Sequence, residues 1–287
     1  MVRPAQGAEI GRTTDHRGED RALKPLTSRC AGTSLGAGLA VLISTLAAPS
    51  VVAADEATDP SRHPRAVVEL FTSQGCANCP PADALMQRLG ADPDLVTLSF
   101  AVDYWDYLGW KDTAARPEFS QRQRAYAEMR GDRAIYTPQV VINGRVHAVG
   151  SDRPAIERRL AGLAAEHQDL DVAIDLETAG DALVIRVGAA PDDRPRPPAT
   201  VWLLHYEKSR TVPIGRGENS GKTITYTHLV RSMQPIGMWK GAALRLELPR
   251  REATHDGSGG CAVLVQVDRD GGPGPIVGAR VLAGPSS

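Results

Sequence analysis

Phe71-Thr-Ser-Gln-Gly-Cys76-Ala-Asn-Cys79-Pro-Pro-Ala-Asp83 joins an apolar run, Val67-Val-Glu-Leu-Phe71, to a helical pattern from Pro80 to Leu89. The apolar run has the length and composition of a buried strand. In the helix Leu85, Met86 and Leu89 form one stripe and Gly90 ends it. Prolines suit a first helical turn, where an N–H would have no internal partner. A Cys-x-x-Cys pair at this corner faces the positive end of the helix dipole, which favours a thiolate. The thiolate is the species that attacks disulfides. Cys76 is therefore the expected attacker, and Cys79, one turn on, the expected resolving thiol.

Downstream, Leu95-Val-Thr-Leu-Ser-Phe-Ala-Val102 reads as a second strand, and Pro117–Arg130 as an amphipathic helix with Phe119, Tyr126 and Met129 inward. Gln139–Ile142, Asn143-Gly144 and Arg145–Ala148 make a hairpin, because Asn-Gly tolerates the positive φ of a tight turn. A last helix runs from near Asp152, its N-cap, to Glu166. Strand–helix–strand, helix, hairpin, helix is an α/β layer pattern over residues 65–167. Thr137-Pro138 falls directly before the third strand. In thioredoxin-like folds a proline at that place, usually cis, packs against the disulfide and offers a backbone edge to substrate.

After Asp169 the hydrophobic period changes to two. Leu170–Leu176, Ala182–Val187, Thr200–Tyr206, Thr223–Tyr226, Leu229–Met233, Leu244–Leu248, Cys261–Val267 and Ile276–Leu282 are strand candidates. Short strands with turn-rich spacers and no good helix predict an all-β, sandwich-like domain over 169–287. Pro191–Pro198 is a proline-rich loop. A length of 287 residues, at roughly 150 per domain, agrees with two domains. The expected fold class is an α/β thioredoxin-like domain followed by an all-β sandwich-like domain.

Hydrophobic residues at 42% and a net charge of -1 exclude wholesale disorder, and leave no basic field for general nucleic-acid binding. Upstream, polar residues 1–34 precede the apolar stretch Leu35–Ala48 and the small residues Val52-Ala53-Ala54. This is the pattern of a cleavable secretory signal over 1–54, followed by a linker over 55–64. The rival is an uncleaved anchor. No later apolar run approaches the 18 or so residues of a membrane span. The expected location is secreted or periplasmic, where paired thiols oxidise by default. Cys30 leaves with the signal, so the mature chain keeps Cys76, Cys79 and Cys261.

The cysteine pair admits several readings. A zinc site needs two further ligands at matching spacing, and Cys261 stands alone before an alternating apolar run, as a buried spectator thiol. Cu(I) held by Cys76 and Cys79, with His147 as a third ligand, is one alternative cofactor chemistry. A static bridge is another, although so short a loop gains little from it. Trp105 and Trp110 follow a strand end, where α/β folds place crevices, and either line a substrate groove beside Thr137 or cap the core. Asp103 is a candidate to tune a thiol, or an ordinary capping carboxylate. Gly217-Glu-Asn-Ser-Gly-Lys-Thr223 lacks the spacing of a phosphate loop and reads as a turn. No Ser-His-Asp order or His-Glu-x-x-His stretch suggests a hydrolase.

Four separated motifs resemble one family: Phe71–Asp83, Val102-Asp-Tyr-Trp-Asp-Tyr-Leu-Gly-Trp-Lys-Asp112, Tyr136-Thr-Pro-Gln-Val-Val-Ile-Asn-Gly144 and Gly217–Thr223. They are similar to secreted thioredoxin-like proteins of domain-of-unknown-function family 1223. The resemblance spans about Arg65 to Leu282 and implies a thioredoxin-like domain followed by a β-rich one, but no activity. The family pair is commonly Cys-Ser-Ser-Cys, whereas Ala77 and Asn78 stand here. The expected function is a thiol–disulfide oxidoreductase-like protein acting on protein thiols or disulfides, with Cys76, Cys79 and Pro138 as catalytic residues. It needs no cofactor beyond its own disulfide. The alternatives are a non-enzymatic binding module and a copper-handling protein.

Overall fold

Strand outweighs helix, 44% to 19%, in a computed structural model that describes residues 63–191, 196–254 and 259–284. The expected signal over 1–54, Cys30, most of the linker and part of the Pro191–Pro198 loop lie outside the described residues. Among the described residues no helix is long and apolar enough to cross a membrane.

The elements of the first half arise where the sequence places them. β1 (Ala66–Thr72), α1 (Pro80–Leu89), β2 (Leu95–Ala101) and α2 (Pro117–Arg130) are followed by β3 (Gln139–Ile142), β4 (Val146–Val149) and α3 (Arg153–Gly162). Gly131 closes α2 at φ 76°, a left-handed position that costs glycine nothing. Asn143 and Gly144 make the hairpin turn at φ 48° and 64°. The Asp152 carboxylate accepts the Ala155 N–H at 3.0 Å and caps α3. Seven strands follow: β5 (Ile174–Ala179), β6 (Ala182–Val187), β7 (Ala199–Pro213), β8 (Thr223–Trp239), β9 (Leu244–Pro249), β10 (Gly260–Arg269) and β11 (Gly272–Ala283). Thr223–Tyr226 and Leu229–Met233, expected as two strands, are parts of the continuous β8, which passes through His228 at φ 47°.

The arrangement of these elements overturns the expected fold class. One eight-stranded mixed sheet runs β11-β10-β7-β8-β2-β1-β3-β4, and a three-stranded sheet runs β5-β6-β9. The chain is not an α/β thioredoxin-like domain followed by an all-β sandwich-like domain, because strands from both segments share a single sheet. β2 joins them, parallel to β1 along its whole length on one edge and parallel to β8 at Ser99 and Leu229 on the other. At this junction the Ser99 hydroxyl donates to the Thr227 carbonyl at 2.8 Å, and Thr97 Oγ1 lies 2.7 Å from His228 Nδ1. Sequence alternation finds strands but not the partner of an edge, so the continuation was invisible locally.

Alternation then sorts the cores. Val67 and Phe71 of β1 share a cluster with Leu98 and Phe100 of β2, Phe119 and Tyr126 of α2, Leu204 and Tyr206 of β7, and Leu264 of β10. α2 thus lies over strands of both halves. On the opposite face Val68 and Leu70 pack against Leu85 and Met86 of α1 and Ile156 and Leu160 of α3. Farther along, Val201, Leu203, Val263 and Val265 meet Ile174, Leu183 and Ile185 of the three-stranded sheet around Trp239. That facing pair of sheets accounts for the alternating pattern that suggested a sandwich. Cys261 is buried here, and burial pushes its thiol up to about 12.

Because Leu98 and Phe100 are covered partly by residues of β7, β8 and β10, residues 65–167 expressed alone are expected to stay a collapsed, dye-binding chain without a cooperative unfolding transition. A sharp two-state denaturant transition of that fragment would refute the single-sheet dependence.

Candidate functional site

β1 ends against the loop Ser73–Cys79, which turns the chain into α1. Successive turns carry it: the Cys76 N–H donates to the Ser73 carbonyl at 3.1 Å and the Cys79 N–H to the Cys76 carbonyl at 3.2 Å. Cys76 and Cys79 are joined as a disulfide with Cα atoms 5.4 Å apart. Cys79 is the N-cap of α1, and Pro80 and Pro81 fill the first helical positions. Ala77 and Asn78 are exposed, while Cys76 is 2% and Cys79 0% exposed. Both cysteines are buried in the closed disulfide.

The helix start differs from the simple expectation in one respect. Pro80 and Pro81 carry no N–H, and the N–H groups of Ala82 and Asp83 are taken by the Cys79 carbonyl at 2.8 and 3.1 Å. The dipole remains, but these first N–H groups are not free to receive a thiolate.

The expected groove residues converge on this corner. The Thr137–Pro138 bond is cis. Gly150, whose N–H donates to the Pro138 carbonyl at 2.9 Å, marks where Pro138 sits. A Cβ on Gly150 would stand 3.0 Å from Pro138 Cβ and 3.2 Å from Ala82 Cβ, so the proline packs beside the first turn of α1. Trp105 Nε1 donates to Thr137 Oγ1 at 2.7 Å, and the Trp105 Cβ lies against Gly75 in the cysteine loop. Trp110 Nε1 donates to Gln74 Oε1 at 2.8 Å. Both tryptophans are half-buried and brace the cysteine loop through Gly75 and Gln74. Asp103 is elsewhere engaged: the Ser120 hydroxyl donates to its carboxylate and its own N–H donates back to Ser120. His147, the third ligand of the copper alternative, lies against Tyr136, Gln139 and Asp132. Among the described residues no three His, Cys, Asp or Glu side chains cluster as metal ligands.

Two residues at the site were not given a role from sequence. Asn219, fully buried in the β7–β8 turn, donates from Nδ2 to the carbonyls of Gln74 and Cys76 at 2.9 and 2.8 Å. Lys222 Nζ donates to its Oδ1 at 2.9 Å and fixes the amide's orientation. The turn Gly217–Thr223 is thus a clamp on the cysteine loop. The second is Asp83, 2% exposed, one helical turn after Cys79 and so on the same helix face. Thr72 donates to its Oδ1 at 2.8 Å, whereas Oδ2 is buried with no partner among the described residues. The Tyr226 hydroxyl is buried and equally unpartnered. Burial raises the Asp83 carboxyl from 3.8 to about 8, against the Thr72 hydrogen bond, and the field of Asp112 adds to it. Burial also raises Tyr226, with the fields of Asp83 and Asp112 acting in the same direction. Asp112 is itself raised by burial, although it accepts the N–H groups of Gln74, Ala114 and Ala115. The spacing of Cys79 and Asp83 was a legible signal, whereas nothing local marks Asn219.

Fold and site define a mostly β protein with a mixed sheet and a Cys-x-x-Cys disulfide at a strand-to-helix corner. The chain belongs to the family described as protein of unknown function DUF1223, whose model matches residues 67–266. Among solved structures it resembles protein AGR_C_4864 from Agrobacterium tumefaciens, with 39% identity, TM-score 0.71, and coverage of 79% of this chain and 97% of that one. It also resembles HBP35 of Porphyromonas gingivalis, with 13% identity, TM-score 0.51, and coverage of 78% and 76%. That second likeness bears on the fold alone. No curated protein matches the chain.

Two outcomes test this geometry. Asn219→Ala leaves the buried Gln74 carbonyl without its donor and the Cys76 carbonyl with only the Cys79 N–H, and is expected to cost about 1–3 kcal/mol in urea unfolding. A loss within about 0.5 kcal/mol, the range of an inert surface change, would remove the clamp. For Asp83, a folded value above the unfolded one means the native state holds the extra proton between about 4 and about 8. Its contribution is therefore most favourable below that window and is lost as pH rises through it. Asp83→Asn is expected to flatten the decline in stability between pH 5 and pH 9; parallel pH profiles for both proteins would show that Asp83 is an ordinary carboxylate.

Proposed function

We propose that this protein is a thiol–disulfide exchange protein acting on protein thiols in an oxidising, exported location. The observation that carries the reading is the buried Asp83 carboxyl one helical turn after Cys79 of the disulfide, with Oδ1 held by Thr72 and Oδ2 without a partner among the described residues. A structural bridge has no use for a protonated acid stored beside it.

In the oxidised form a substrate thiolate attacks Cys76 Sγ. The Cys76–Cys79 bond breaks, a mixed disulfide forms on Cys76, and Cys79 leaves as a thiolate. Asp83 is placed to hand that thiolate a proton, a task suited to a group whose value lies near working pH. A second thiolate of the substrate then attacks the substrate sulfur of the mixed disulfide and releases Cys76 thiolate. The substrate dithiol is oxidised and the protein disulfide is reduced. Read backwards, Asp83 takes the Cys79 proton and the dithiol reduces a substrate disulfide. Trp105, Thr137 and Pro138 supply the surface against which an extended substrate segment lies.

One observation favours a second reading, a closed structural bridge: both sulfurs are almost wholly buried. The two separate by experiment. In the exchange reading the Cys79→Ala protein accumulates mixed disulfides through Cys76, the wild type catalyses insulin reduction, and Asp83→Asn slows the exchange roughly 10²-fold near neutral pH. A reduction potential below about −300 mV with no adduct and no turnover belongs to an inert bridge and would end the exchange reading.

A further inference from the structure

A cavity lies toward the end of β1 remote from the cysteine loop. It is bounded by the end of α2, the β3–β4 turn, α3 and the β10–β11 turn, and its volume is about 550 Å³. Since β3 is antiparallel to β1, with Gln139 opposite Phe71 and Ile142 opposite Val68, the β3–β4 turn stands away from the cysteine corner. Arg130, Arg145, Arg159 and Arg269 line this cavity, against a single carboxylate, Asp132.

The charges are not balanced within the protein. Arg130 spends Nε and Nη2 on Asp132, at 2.9 and 3.3 Å, while its Nη1 is buried without a partner. The Nε of Arg145 is also buried and unpartnered, and Arg145 has no ion pair among the described residues. The carboxylate that acts on Arg145, Asp171, is held by Arg196 at 2.7 Å. Burial pushes the Arg145 guanidinium below its ordinary value, and the fields of Arg269 and Arg196 press the same way against Asp171. Arg159 and Arg269 are exposed at the cavity rim, whereas Arg130 and Arg145 are half-buried. Burying guanidinium N–H groups without acceptors, beside like charges, is unfavourable unless something supplies the acceptors.

We propose that this cavity is a binding site for a phosphate-bearing anion, gripped by Arg130, Arg145, Arg159 and Arg269. Guanidinium forks match the oxygen pairs of a phosphate, and several of them converging favour a polyvalent anion over chloride. The volume exceeds that of a bare phosphate, which fits a pyrophosphate or a phosphate ester. The two possible sources, a soluble ligand and a phospholipid headgroup, share this chemistry. The inference is independent of the redox reading, because no residue of the disulfide corner lines the cavity.

The test is calorimetric titration of the full chain with sodium pyrophosphate, repeated for Arg145→Gln, Arg269→Gln and the control Arg158→Gln. Arg158 is exposed on α3 and does not line the cavity. Saturable one-to-one binding is expected, weakened at least about tenfold in the first two variants, as losing one charged hydrogen bond implies, and within about twofold of wild type in the control. Pyrophosphate should also raise the melting temperature of wild type and not that of Arg145→Gln. Arg145→Gln should fold at least as stably as wild type, since it removes an unpaired charge. Binding to phosphatidylglycerol vesicles that pyrophosphate displaces assigns the phosphate to a headgroup; pyrophosphate binding without vesicle binding assigns it to a soluble ligand. Absence of saturable binding, or an equal loss in Arg158→Gln, overturns the proposal.

Discussion

A strand buried along its whole length must find hydrogen-bond partners on both edges, since an unpaired backbone group away from water costs as much as a lost hydrogen bond. All seven residues of β2 are buried. β1 supplies one edge, and on the other β8 pairs at Ser99 and Leu229, with the Ser99 hydroxyl and Thr97 adding side-chain bonds to Thr227 and His228. That requirement places β8 beside β2, and β8 brings β7, β10 and β11 into the same sheet. It also decides what lies above the cysteine loop. The residues of β8 before His228 run along α1, with Tyr226 in the field of Asp83 and the β7–β8 turn delivering Asn219 to the carbonyls of Gln74 and Cys76. The second half of the chain thus completes the corner that the first half begins.

At that corner the electrostatics of the helix start are divided between two devices. The two prolines stiffen the turn but take away the first N–H groups, and the Cys79 carbonyl consumes the next pair. A thiolate formed here has the dipole but few direct donors. Asp83 answers the deficit differently, as a buried acid whose neutral form persists to about pH 8 because desolvation outweighs the Thr72 hydrogen bond. In the exchange proposed above, such an acid offers its proton to the departing Cys79 thiolate in place of a stationary hydrogen bond.

Much of this was legible in the chain. The bounds of α1 and α2, the Asn143-Gly144 hairpin and the Asp152 cap follow from rules that act within a few residues: proline at a helix start, glycine at its end, positive φ at a tight turn. The Cys-x-x-Cys turn at the start of α1 was legible for the same reason, whereas the Trp105–Thr137 hydrogen bond joins residues 32 apart, which no local rule specifies. What failed was the partition of those elements into two layers of different class. β7 and β8 alternate on both faces, feeding Leu204 and Val230 to the α2 side and Val201 and Trp239 to the three-stranded sheet. Such a pattern fits a free sandwich and a continued sheet equally well. Only the pairing of residues about 130 apart distinguishes them, and no local rule encodes it.

The polar network under α2 shows why the continued sheet is also the more demanding solution. Glu69, fully buried on β1, accepts from Arg122 Nε at 2.8 Å and from the Tyr126 hydroxyl, while Arg122 Nη1 reaches Gln266 Oε1 of β10 at 3.0 Å. Gln266 Nε2 donates in turn to the Tyr126 hydroxyl at 2.9 Å. Its four members come from three elements: Glu69 from β1, Arg122 and Tyr126 from α2, and Gln266 from β10. A buried carboxylate is tolerated only when its partners are all present. Both partners of Glu69 lie on α2, and Gln266 of β10 holds each of them in turn. A residue that broke the apolar run of β1 in the sequence is, in the folded chain, a polar tie between its two halves.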